Sequence, residues 1–267
     1  MSYIDPSLHE LPSWVPDLSN KSDRMQSFPW TNVFGLDGFA ARSKPLERSL
    51  QLVKWNSKEG ELPRVIFIKT LVLDEIGSNF AINQWDDSQS CTRHQYLRDV
   101  VRQATSMVTR FTGHPWPIED DQSKAFLRTI FADGSGARCQ AAVAVRELGS
   151  GSYVLYEKIV EMIYFFDNPR DAMLGRPTME SVREILSETL EGHNFFITKK
   201  NYIGLAPLMA KEKDVIALVD SVHVPIVLRH SKIDDEREGF VVVGPCYVHG
   251  VMYGETCDRE GEYIPLI

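Results

Sequence analysis

The chain has 267 residues, 43% of them hydrophobic and 25% charged, with a formal net charge of −8 and a pI near 5.4. That is ample material for a core in one large or two small domains. An acidic balance with no basic stripe argues against a nucleic-acid partner, and no apolar run approaches the ~20 residues of a membrane helix.

The start, Met1-Ser2-Tyr3-Ile4-Asp5-Pro6, lacks the basic-then-apolar pattern of a secretory leader. Cys91, Cys139, Cys246 and Cys257 are scattered and form no Cys-x-x-Cys pair. Reduced thiols in a cytoplasmic protein are therefore expected, rather than a disulfide framework or zinc site.

In chain order, Leu11-Pro12-Ser13-Trp14-Val15-Pro16-Asp17 is an extended strap stiffened by two prolines, with Trp14 as a core plug or, alternatively, a ligand-stacking ring. Residues 34–41 and 50–55 are predicted strands, and 64–76 form a longer β-type run. It closes on Asp74-Glu75, a carboxylate pair expected at a strand end and read as turn capping before acid–base work. From Ser88 the period changes. Tyr96, Leu97, Val100, Val101, Ala104, Met107, Val108 and Phe111 recur at helical spacing. Gly113-His114-Pro115-Trp116-Pro117 breaks that helix and holds His114 and Trp116 in a rigid loop.

A second helix carries Phe126, Leu127, Ile130 and Phe131, capped by Asp120 or Asp121. Gly134-Ser135-Gly136 and Gly149-Ser150-Gly151-Ser152 lack the Lys-Ser/Thr of a phosphate loop and are read as connections. Residues 153–166 form a third, buried helix. A fourth starts after Thr178, with Val182, Ile185, Leu186, Thr189 and Leu190 inward and Gly192 as its carboxyl cap.

Residues 195–255 are short apolar runs separated by turns: 195–207, 215–219, 224–228 and 247–255. Lys200-Asn201 suits a hairpin turn, because Asn tolerates the left-handed conformation. Many short strands favour closure into a small barrel, which removes exposed edges. The predicted fold is thus α+β. Antiparallel strands from both ends of the chain form a small barrel-like sheet system, with a central block of about four helices packed on it. A single domain is expected over 1–267: strap and strands to 87, helical block 88–192, barrel-like region 193–267.

No nucleophile elbow, His-Glu-x-x-His, dinucleotide fingerprint or Walker loop is present. Cys246 and His249 would fall on opposite faces of a strand, so Cys246 is read as a small buried thiol. His223, His230 and His249 lack metal-ligand spacing and are read as structural. No metal or cofactor is expected. Strand alternation from 247 to 253 would bring Tyr247, His249 and Tyr253 onto one face. His249, Tyr247 and His114 are then candidate donors, and Trp116 and Tyr253 candidate walls of a pocket.

Two segments resemble the fungal heterokaryon-incompatibility (HET) family. Residues 195–207 and 247–255 are similar to its Phe-Phe-x-Thr-x-Lys-Gly-Tyr-Ile-Gly-Leu-Gly-Pro and Tyr-Val-His-Gly-Ile-Met-Asp-Gly-Glu segments. Residues 11–17 resemble its Leu-Pro-Ser-Trp-Val-Pro-Asp-Trp segment. The chain departs from the pattern at Leu18, Asn201, Ala206 and Tyr253. The resemblance implies the carboxyl-terminal half of a typical member, without the amino-terminal HET effector domain.

Two functions follow as expectations. One is repurposing: an apolar fungal metabolite bound in a pocket and cyclised without a cofactor, even by a [4+2] closure, through orientation and polarisation. The alternative is a non-enzymatic recognition or regulatory module of the incompatibility system, whose protein partner supplies the effector in trans.

Overall fold

The computed structural model describes residues 41, 50–51, 65–86, 91–112, 121–132, 179–220, 222–232, 237–256 and 258–267. The strap at 11–17, the loop at 113–117 and the predicted third helix at 153–166 lie outside these.

The chain is built around one long strand. β1 (Leu50–Gln51) pairs with β2 (Ile66–Ile82), which runs for 17 residues. Its Val, Ile, Leu, Phe and Thr content suits a pleated, half-buried surface. Two register shifts, between Val72 and Asp74 and between Ile76 and Ser78, interrupt its ladders. Such irregularities bend and twist a strand, so β2 can serve two sheets in turn. Its first half pairs with β9 (Glu262–Leu266) on one edge and with β5 (Val215–Val219) on the other. Its second half pairs with β3 (His193–Thr198).

The first half closes a barrel. β5 pairs with β6 (Ile226–Lys232), β6 with β7 (Glu238–Pro245), β7 with β9, and β9 returns to β2. Every pairing in this five-strand ring is antiparallel except β7–β9, which is parallel through Phe240 and Leu266. All five strands send side chains to one cluster: Ile66 and Ile68, Ala217 and Val219, Leu228, Ile264 and Leu266, with Phe240 and Val242 packed against it. The barrel interior is filled by aliphatic side chains, as expected for so few strands.

The second half of β2 starts a further sheet, β2–β3–β4–β8, where β4 is Ile203–Pro207 and β8 is Tyr247–Val248. Side chains alternate across it. Phe196, Ala206 and Val248 face the outer barrel wall, meeting Leu73, Ile76, Ile216, Leu218 and Val227. Phe195, Ile197, Ile203, Leu205 and Tyr247 face the helices. This sheet is covered on both sides, which explains why β3 is buried at every residue.

Three helices are described: α1 (Arg93–Thr112), α2 (Asp121–Ile130) and α3 (Met179–Leu190). A reciprocal cap starts α1: the Thr92 amide donates to Gln95 Oε1 (2.9 Å) and the Gln95 amide to Thr92 Oγ1 (3.3 Å). Leu97, Val101 and Ala104 of α1, Phe126 and Ile130 of α2, and Ile185, Leu186 and Leu190 of α3 form one core with the sheet. Gly192, at φ +82°, ends α3 and turns the chain into β3.

The α+β class and the mixing of strands from both ends of the chain agree with the sequence expectation. Of the expected block of about four helices, three lie among the described residues, and the predicted helix at 153–166 falls outside them. One point is corrected: Asp74-Glu75 does not end a strand, because β2 continues to Ile82. Its carboxylates nonetheless brace a turn: the Lys200 amide donates to Asp74 Oδ2 (2.6 Å), and Lys199 Nζ lies 2.8 Å from Glu75 Oε1. That is the β3–β4 hairpin, with Asn201 at φ +67° and its amide bonded to the Thr198 carbonyl (3.0 Å).

Candidate functional site

Of the five side chains singled out in the sequence, His114 and Trp116 lie outside the described residues. The other three are not arranged by strand alternation. β8 ends at Val248, and Gly250 at φ +83° reverses the chain there, with the Val251 amide reaching the Val248 carbonyl (3.4 Å). The period of two therefore stops before Tyr253. Tyr247 is wholly buried in the helix-facing core. His249 is half-buried, its amide bonded to the Ile203 carbonyl (3.0 Å). Tyr253 is 52% exposed, and its amide donates to Glu255 Oε2 (2.8 Å).

Cys246 is fully buried, and burial pushes its thiol well above the ordinary range. A thiol held protonated is no nucleophile, in keeping with its reading as a small buried residue. His230 packs against Phe240, the ring centroids 4.5 Å apart and the planes tilted by 45°. Among the described residues, no group of three or more His, Cys, Asp or Glu side chains could hold a metal ion.

The polar groups that the structure does gather lie at the junction of β2, α1 and α3. Glu191 is the centre, its side chain 8% exposed. It accepts from Arg93 Nε (3.1 Å) and Nη2 (3.3 Å), from the Trp85 amide (3.2 Å) and from Ser187 Oγ (2.8 Å). Arg93 also donates to Ser187 Oγ and lies over the Trp85 ring at 5.9 Å. The Glu191 backbone carbonyl takes a hydrogen bond from His193, whose imidazole burial pushes down to about 4 against the opposing pull of that bond. Burial and the Glu191 charge together raise the Tyr96 phenol.

Beside this junction lies a crevice of about 210 Å³, lined by Arg93, His94 and Leu97 of α1 and by Arg183, Glu184 and Ser187 of α3. None of its polar members was singled out in the sequence. Arg93 and Glu191 are 98 residues apart, so no local spacing links them. The one local clue is the capping box at Thr92 followed by two basic residues in a first helical turn.

A second polar cluster pins the loop between β4 and β5. Asn194, 1% exposed, donates through Nδ2 to the carbonyls of Leu208 and Ala210, both at 2.8 Å. Arg229 holds Asp214 through two contacts of 2.8 Å and donates to the Met209 carbonyl (2.6 Å). These groups are mutually satisfied and structural in character.

Residues 178–263 match the family model described as the Het-6 beta-barrel domain. The match spans α3 and six of the seven later strands, and reaches into β9. It agrees with the resemblance of this region to the carboxyl-terminal part of HET-family proteins. No curated protein and no solved structure matches the chain.

Proposed function

We propose that this chain, carrying a Het-6 barrel domain, acts as a non-enzymatic recognition or regulatory module of a heterokaryon-incompatibility-type system. One observation carries the reading. The barrel, of which β5, β6, β7 and the start of β9 fall within the family match, is filled by its own aliphatic side chains, Ile66, Ile68, Val219, Leu228, Ile264 and Leu266 among them. A domain of this kind acts through its surface. Cyclisation of an apolar metabolite needs a chamber of roughly 300 Å³ or more with a few convergent donors, and the lumen that would serve is occupied. Among the described residues, the buried Tyr247 and the exposed Tyr253 line no such chamber, and the thiol of Cys246 is held protonated.

The partner on this reading is a protein that supplies the effector in trans. Pairwise binding of the purified chain to each HET-domain protein encoded in the same genome tests it. Saturable association with at least one of them, with a Kd below about 10 μM (roughly −7 kcal/mol), is the expected result. Turnover of an apolar fungal metabolite by the chain, without any protein partner, would replace this reading with that of a cofactor-free cyclase.

A further inference from the structure

We draw no further inference here: the strongest candidate, the surface patch at the tip of the loop between β4 and β5, where Leu208 and Met209 are exposed, carries nothing, because nothing in the structure shows what covers it.

Discussion

A methyl group at Gly204 would meet the Tyr247 carbonyl oxygen and the Phe196 ring at less than 3.0 Å. Backbone cannot yield there, because β4 is held between β3 and β8. Gly204→Ala should therefore destabilise the fold by about 3 kcal/mol, the upper range of overpacking costs, read as a lowered urea midpoint with an unchanged m-value. At Arg229 the argument is electrostatic. Its partner Asp214 is 1% exposed, so Arg229→Ala leaves a buried carboxylate without its counter-ion. A loss of roughly 3 kcal/mol is expected; Arg229→Lys, lacking the two-pronged fork, should recover only part of it.

His193 fixes a pH dependence. Its folded value of about 4 lies below the ordinary 6.5, so the unfolded chain takes up a proton first as pH falls. Above pH 6.5 the residue adds no pH dependence. Between 6.5 and about 4 stability should decline, by up to ~3 kcal/mol at the rate of 1.36 kcal/mol per pH unit. Urea midpoints from pH 7.5 to 4.5 read this, and His193→Gln, if folded, should flatten the slope.

At the scale of elements, what the sequence disclosed depended on distance along the chain. The β3–β4 hairpin was legible because Asn201 signals its own turn and the flanking residues alternate. The helical faces of α1 to α3 were legible because their apolar residues recur within one turn of each other. The expected β-type run stops at residue 76, closing on Asp74-Glu75, because the irregularities of β2 break the period there, and no local signal says that the strand resumes. The expected face of Tyr247, His249 and Tyr253 failed because Gly250 turns the chain inside what had looked like a continuing strand.

The Glu191 junction was invisible because Trp85, Arg93 and Ser187 reach it from three separate elements. It ties the exit of β2 to the starts and ends of two helices. Glu191→Ala should leave Arg93 without its carboxylate and loosen the helical layer while the barrel stays closed. Hydrogen exchange is the measurement: amides of α1 and α3 should lose protection by tenfold or more, while those of β5 and β6 stay near wild type.

For the whole molecule, three cores share two walls. β5 separates the barrel lumen from the middle core, with Ala217 and Val219 on one side and Ile216 and Leu218 on the other. β3 and β4 separate that middle core from the helices. Layers joined through common strands should unfold together. Leu228→Ala, which empties part of the lumen, should cost about 2–5 kcal/mol and shift near- and far-ultraviolet dichroism transitions by the same amount. Separate transitions by the two probes would show that the layers come apart independently.

β2 accepts β9 along one edge and β5 along the other, and β9 in turn completes the ring against β7. The segment that seals the barrel, Glu262–Leu266, leaves the ribosome after every other strand of the ring. Until it does, β7 and the first half of β2 each present an open row of amides and carbonyls to the surrounding solution. Pairing over nearly 200 residues of chain is slow to form. The newborn protein thus passes through a period in which its own longest strand is its most adhesive surface, and chaperone dependence during synthesis is the natural corollary of a barrel closed last.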